Sequence, residues 1–348
     1  MPDVWFAVPG DLATLTGGYA YARRLMAALP ATGWFPHHLP LPAGFPNPSD
    51  GDLRTTAEMF AALPAGTSVL ADGLAFGALP PTLLSDCDLN FTALVHHPLA
   101  EETGLASADA ARLKAGERAA LALAQSVVVT SGHTLTSLAD HYEVPRDWLY
   151  LAEPGTDAAA RAMGSKTEPK LLTVATLTHR KAHDVLIEAL ARIKDLAWTS
   201  DLIGSTDRDA AVTAKVRGLI TQHGLEDLIA LRGEMQDAQL DAAYAGADIF
   251  VLPSRHEGYG MVFAEALARG LPVVACAAGA VTDTVPEGAG LLVPPDSPEA
   301  LAEALRRLLT NGALRHSMSE RAWEYGRTLP TWNDAAARVA EALWAALP

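Results

Sequence analysis

The sequence predicts an α/β protein of two consecutive domains, each a parallel β-sheet covered by helices on both faces. Three observations predict it. Short, uninterrupted apolar runs alternate with segments whose apolar residues fall at helical spacing, and strands that are apolar throughout belong in parallel sheets buried on both sides. The alternation runs once, breaks near residue 160, and runs again. The 348 residues also suit about two domains at roughly 150 residues each.

In chain order, VWFAV (4–8), SVLADG (68–73), NFTALVHH (90–97), SVVVTS (126–131) and WLYLAEPG (148–155) read as buried strands. GGYAYARRLMAAL and ADAARLKAGERAALALAQ, between them, carry apolar residues at helical spacing. The polar, small-residue stretch TDAAARAMGSKTEPK (156–170) is the expected interdomain linker. KLLTVATL (170–177), AWTSDLIGS (197–205), IALRGEM (229–235), DIFVLPS (248–254), PVVACA (272–277) and GLLVPP (290–295) repeat the strand rhythm. SPEALAEALRRLLTNG reads as a helix with a Ser-Pro-Glu start and a Gly stop. The last helix, TWNDAAARVAEALWAAL (331–347), starts at a Thr N-cap and shows an apolar stripe through Trp332, Ala336, Val339 and Leu343. No internal repeat goes beyond this halving.

Composition narrows the function. A formal charge of −15 argues against nucleic acid, whose phosphates demand a basic surface. Cys87 and Cys276 stand far apart with no metal-ligand spacing, which suits a reducing compartment. No apolar run approaches the ~18 residues of a membrane span, and the first residues lack the basic, then apolar pattern of a signal peptide. A cytoplasmic location is expected.

The stretch SRHEGYGMVFAEALARGLPVV (254–274) carries the chemistry. A strand ends in a loop where Gly258 and Gly260 bracket Tyr259, and a helix begins near Met261. Glycines let backbone approach a ligand, and the N–H groups of a first helical turn attract anions. Glu257 precedes this site in a loop rather than a core, and Glu265 lies about a turn into the helix. An anion flanked by two carboxylates makes sense when the acids accept hydrogen bonds from hydroxyls, as a diphosphate-linked sugar with a ribose would provide. The plainer alternative is a dipole-favoured Glu at a helix start and a surface Glu beside it.

Three further segments belong with it. HRKAHD puts the cations Arg180 and Lys181 after a strand, in the crevice where α/β sheets bind ligands, or else in a solvated basic loop. LTGGYAYARR places Gly17 and Gly18 at a helix start, a weak signal that a plain turn would also give. LVHHPL ends a strand with His96 and His97, a pair too short of further ligands to hold a metal. His37 and His38, in a Pro-rich segment, read as structural. Gly204 and Gly233 end strands where a nucleotide base could abut.

Taken together, LTGGYAYARRL, VHH, EPGTD, VATLTHRKAHDVLIEAL and ADIFVLPSRHEGYGMVFAEALARGLPVVA…GLLVPP resemble the retaining glycosyltransferases of family 4, marked by an E-x7-E signature, over nearly the whole chain. The resemblance implies the GT-B fold, two Rossmann-like domains with parallel sheets facing across a cleft. It implies an acceptor-binding domain at 1–160, a nucleotide-sugar donor domain at 161–328, and a helix at 329–348 packing back on the first domain. Glu257 would contact donor-sugar hydroxyls near the anomeric centre and Glu265 the ribose. Backbone at Gly258, Tyr259, Gly260 and Met261 would hold sugar and phosphate, and Arg180 and Lys181 the diphosphate. Gly17 and Gly18 would lie against the donor phosphate or the acceptor. His96 would approach the reacting carbon with His97 as the reserve, so His96 and Glu257 are the catalytic candidates.

The sequence departs from the family pattern at Ala175 and Ala182, where glycines are usual, and at Thr176, where an arginine is frequent. No cofactor or metal is expected. The Asp86–Asp88 and Asp207–Asp209 strings resemble a metal-binding motif of GT-A enzymes but read as incidental here, since paired cations can neutralise the diphosphate. The expected activity is transfer of a hexose from a nucleotide-diphosphate sugar, UDP- or GDP-linked, to a hydroxyl acceptor. Residues 1–160 hold seven Lys/Arg against seventeen Asp/Glu (7 − 17 = −10), which favours a soluble acceptor over an anionic bilayer, with peripheral membrane contact left open. A monomer or homodimer is expected. The alternatives are another GT-B enzyme, such as a nucleotide-sugar 2-epimerase or glycan phosphorylase, or a non-catalytic sugar-binding protein.

Overall fold

In the computed structural model, which describes residues 1–348, the apolar runs of each half pair as one six-stranded parallel sheet. The chain divides into two units, Met1–Gly155 with Pro330–Pro348, and Thr156–Leu329.

The first unit contains β1 (Asp3–Pro9), β2 (Phe35–Leu41), β3 (Thr67–Asp72), β4 (Leu89–Val95), β5 (Ser126–Val129) and β6 (Leu149–Leu151), in the order β2-β1-β3-β4-β5-β6. Strand β2 is absent from the sequence reading, which assigned no strand to the Pro-rich segment around His37 and His38. Pro36 and Pro40 fit because β2 is an edge strand, where a missing N–H breaks no ladder on the open side. Phe91 from β4 packs against Phe60 and Phe76, with centroids 5.4 and 5.8 Å away, at the centre of an aliphatic core.

The second unit contains β7 (Lys170–Val174), β8 (Thr199–Ile203), β9 (Ile229–Gly233), β10 (Ile249–Leu252), β11 (Val273–Cys276) and β12 (Gly290–Val293), in the order β12-β11-β10-β7-β8-β9. From β7 the chain winds outward through β8 and β9, then returns to start β10 on the other side of β7. Such a reversal opens a crevice beyond the carboxyl ends of the two adjacent strands, where ligands of open α/β sheets bind. The loops after β7 and β10 are those carrying Arg180–Lys181 and Glu257. The first unit reverses in the same way between β1 and β3.

Two expectations about connections need correction. The stretch 156–170 does not hang free as a linker: Ala162 N–H donates to Arg269 O at 2.8 Å, Met163 N–H to Ala245 O at 2.9 Å, and Arg161 pairs with Glu320 at 2.6 Å. Small residues allow that segment to lie flat along the second unit. Gly312 is no stop signal either, because Asn311 ends the helix Pro298–Thr310 and its side chain caps the next, Gly312–Gly326, through Leu314 N–H at 3.0 Å.

The last helix, Trp332–Ala345, begins with a reciprocal Thr331–Asp334 capping box and belongs to the first unit. Ala336, Val339 and Leu343 are buried there, while Trp332, only partly covered, meets Tyr21 edge-on at 5.6 Å. No helix is long and apolar enough to cross a membrane.

Candidate active site

The Gly-Tyr-Gly turn is shaped by its second glycine. Gly260 has φ +86°, and a Cβ there would come 2.5 Å from the Phe263 ring, so both backbone and space require glycine. Gly260 precedes the helix Met261–Ala268 with no side-chain cap. The helices at Gly17–Ala28 and His183–Ala191 also start without a side-chain cap, as does Ser107–Leu121 outside the site. By contrast, Ser49, Ser131, Asp209 and Thr331 cap helices elsewhere with their side chains. First-turn N–H groups that no side chain satisfies are where an anion binds.

Glu257 is the electrostatic centre of the second unit's site. Its Oε1 accepts from Lys181 Nζ at 2.6 Å and Ser254 Oγ at 2.5 Å, and its Oε2 from Arg180 Nη1 at 3.1 Å. The residue is only 4% exposed. This corrects its placement outside any core: the loop is folded in and the acid is buried. Burial opposes ionisation, yet the charges of Lys181 and Arg180 and the bonds from Lys181 and Ser254 overcome it, holding the carboxyl down to about 2. The surrounding backbone is fixed as well, since Ala280 N–H donates to Glu257 O at 2.9 Å and Thr284 Oγ1 to Tyr259 O at 2.7 Å.

The cations are braced from below. Arg255 N–H donates to Arg180 O at 2.8 Å and Arg255 Nη1 to His179 O at 2.5 Å, while its guanidinium pairs with Asp184 and Asp296. Ala182, the residue between this turn and the helix His183–Ala191, adopts φ +52°. The family's usual glycine therefore corresponds to a left-handed backbone here, which the alanine adopts under strain. His183 is buried with both ring nitrogens unpartnered. Burial, then the Lys181 charge, lowers it to about 4 against the opposing pull of Asp184.

Glu265 stands apart from this cluster. Its Oε2 accepts from Tyr244 Oη at 2.8 Å, and Arg269 donates to its backbone carbonyl at 3.1 Å. Burial raises its carboxyl, against the Tyr244 bond and the Arg269 charge. At Gly204 a Cβ would lie 2.1 Å from Ala175 O, so its lack of a side chain serves packing between neighbouring strand ends.

In the first unit Gly18 and His96 come together, a Cβ on Gly18 falling 3.7 Å from His96 Nε2. Tyr21 meets the His96 ring edge-on at 5.2 Å, and Thr130 and Thr134 hydroxyls donate to His96 O at 3.3 and 3.2 Å. His96 Nε2 has no hydrogen-bond partner and lies 3.8 Å from Asp72 Oδ2. Burial, then the neighbouring His97, lowers His96 to about 4, so the ring is neutral at pH 7. His97 Nε2 instead lies 3.5 Å from Glu102 Oε2. Of the Asp pairs, Asp209 caps the helix Ala210–His223 through Val212 N–H at 3.0 Å, and Asp86 ends the helix Pro81–Ser85.

Ser254, Arg255, Tyr244 and Asp72 escaped the sequence reading. Ser254 and Arg255 lie inside the stretch that drew attention, but a serine and an arginine at a strand end carry no signal without the fold. Tyr244 and Asp72 reach Glu265 and His96 only through tertiary packing.

Two parallel, doubly wound units with ligand-type loops at their reversal points define the GT-B class of fold. The structure of sucrose-phosphate synthase from Thermosynechococcus elongatus superposes with a TM-score of 0.84 at 24% identity, covering 98% of each chain. Anabaena HepE in complex with UDP and glucose gives 0.75 at 16% identity, covering 98% of this chain and 99% of that one. A D-inositol 3-phosphate glycosyltransferase of Corynebacterium glutamicum is 31% identical over 235 residues, 62% of this chain and 56% of that relative. A D-inositol 3-phosphate glycosyltransferase of Streptomyces avermitilis is 28% identical over 284 residues, 74% of this chain and 61% of that relative. The chain thus spans less than two thirds of these relatives' length.

Residues 157–325 match the family model described as Glycosyl transferases group 1. That match lies within the second unit, and the chain has the GT-B fold of the similar structures.

Proposed function

We propose that the protein is a retaining glycosyltransferase that moves a hexose from a nucleotide-diphosphate sugar to a hydroxyl acceptor, with the donor bound by the second unit and the acceptor by the first. One observation carries the reading: Glu257 is kept ionised between Lys181 and Arg180, beside the uncapped start of the helix Met261–Ala268. An ionised carboxylate only accepts hydrogen bonds, which suits sugar hydroxyls. The two cations and the first-turn N–H groups suit the diphosphate.

In the proposed reaction the acceptor oxygen bonds to the anomeric carbon on the face from which the diphosphate leaves. The bond from that carbon to the phosphate oxygen breaks, and the acceptor's proton passes to the departing phosphate oxygen. Lys181 and Arg180 stabilise charge growing on the leaving group, so the chemistry asks for no metal ion. Glu257 orients the sugar. His96, neutral and with Nε2 unpartnered, orients groups at the reacting carbon without becoming a nucleophile. Glu265 accepts from a ribose hydroxyl.

UDP is the favoured nucleotide, because the similarly folded HepE is described with UDP. The net charge of −10 over residues 1–160 (7 − 17) favours a soluble hydroxyl acceptor over one at an anionic membrane surface. The test is incubation with UDP-, GDP- and ADP-sugars, with and without EDTA, following donor consumption and the anomeric configuration of the product. Donor turnover with retention supports the proposal. No turnover of any donor, or an inverted linkage, contradicts it.

A further inference from the structure

Tyr244 is a fully buried phenol on the helix Asp237–Ala245, and its hydroxyl points at Glu265. Its ring is fixed from two neighbours: Phe250 stacks at 6.1 Å with planes 17° apart, and the Arg269 guanidinium lies 4.6 Å from the ring centroid. Arg269 is itself held by Asp241 and by the Glu265 carbonyl. The phenolic oxygen therefore has little freedom, and it donates to Glu265 Oε2 at 2.8 Å. Its other contact, to Val262 O, is a long 3.5 Å. The bond to Glu265 is made to Oε2.

A glutamate has three rotatable side-chain bonds and must lose that freedom to grip a hydroxyl, which weakens binding unless the carboxylate is held beforehand. The Tyr244 bond does the holding. It occupies one oxygen and leaves the other to accept. We infer that Tyr244 is the positioning residue for nucleotide recognition: its hydroxyl fixes the Glu265 carboxylate so that Oε1 accepts from a ribose hydroxyl. The inference rests on the proposed donor-binding role of Glu265. The charges around the pair are consistent with it, because burial works against the Glu265 carboxylate while the Tyr244 bond and Arg269 support it against Asp157 and Asp241.

The test is calorimetric titration of the full chain with UDP, 2′-deoxy-UDP and 3′-deoxy-UDP, or the guanine series where only GDP binds, comparing wild type, Tyr244→Phe and Glu265→Gln. Tyr244→Phe keeps the ring and its packing and removes only the hydroxyl. Wild type should prefer the ribonucleotide over one of the deoxy analogues by about ten- to a hundredfold, the range for a hydrogen bond to a charged group. Tyr244→Phe should lose most of that preference, binding the ribonucleotide more weakly and the deoxy analogue about as well as wild type. With an active donor, KM should rise and kcat stay near wild type. If wild type shows no ribose preference, or binds neither nucleotide, the Glu265 reading fails and takes this inference with it. If wild type and Tyr244→Phe show the same preference, Glu265 keeps its role and Tyr244 loses this one. Equal weakening of ribo- and deoxynucleotides by Tyr244→Phe would assign the phenol a packing role alone and overturn the inference.

Discussion

Lys181 Nζ and Glu257 Oε1 are 2.6 Å apart although 76 residues separate them in the chain. They meet because β7 and β10 are adjacent where the sheet reverses direction, so the loops that follow them share one crevice. The pair links a charge suited to phosphate to a carboxylate suited to sugar.

Glu257→Gln should lower turnover by at least about a hundredfold, the scale for losing one preorganised electrostatic contact. It should also destabilise the fold by about 1–3 kcal/mol, because Arg180 and Lys181 lose their counter-charge. The ion pairs give a pH signature. Glu257 is lowered from its ordinary value to about 2, so its stabilisation is complete above about pH 4.5 and is lost as pH falls toward 2. Thermal unfolding of wild type and variant between pH 7 and pH 3 should show the stability gap closing with acid. A gap independent of pH would mean that the ion pairs do not form.

Ala182→Gly should stabilise the protein slightly. The alanine sits at φ +52°, where an L side chain costs about 1–2 kcal/mol. Glycine removes that strain but adds about 0.4–1 kcal/mol of unfolded-state entropy. The net gain should be below about 1.5 kcal/mol, read as a small rise in Tm. A clear loss of stability would show that the buried methyl outweighs the backbone.

His183→Leu should stabilise more at pH 5 than at pH 7. His183 is lowered to about 4 in the folded state, so between its ordinary value near 6.5 and 4 the unfolded chain binds the proton first. Folding stability due to this residue is therefore lost as pH falls through that window, and leucine has no proton to take up. Equal effects of the substitution at both pH values would mean that His183 is not held neutral.

Much of this was legible in the sequence for a physical reason. Buried parallel strands are continuous apolar runs, so β7, β10 and β11 of the second unit stand out in the chain, and the Gly-Tyr-Gly turn marks itself by its glycines. Strand β2 does not, because an edge strand can carry Pro36 and Pro40 and looks like loop. The burial of Glu257 is equally invisible in one dimension: a Glu after a strand reads as exposed until the folded loops bring Lys181 and Arg180 to it. Ala182 is a middle case, since its departure from the family glycine was visible but its left-handed backbone was not.

Lys181→Ala and Glu265→Ala should weaken nucleotide-sugar binding, whereas His96→Ala should chiefly lower turnover. In the proposed reaction Lys181 and Glu265 touch diphosphate and ribose before and during reaction, so removing them mostly removes binding common to both states. Lys181→Ala should also lower kcat, because charge grows on the leaving group as its bond breaks. His96 belongs to the first unit, where its Nε2 lies against Gly18 without a hydrogen-bond partner, so its loss should leave donor affinity in the second unit near wild type. Held near 4, His96 is already neutral across pH 6–8, and wild-type kcat should show no protonation step from it in that range. Calorimetry on the three variants, paired with steady-state rates across that pH range, separates the roles. A His96→Ala protein that loses donor affinity but keeps its rate would move His96 out of the reaction and into donor binding.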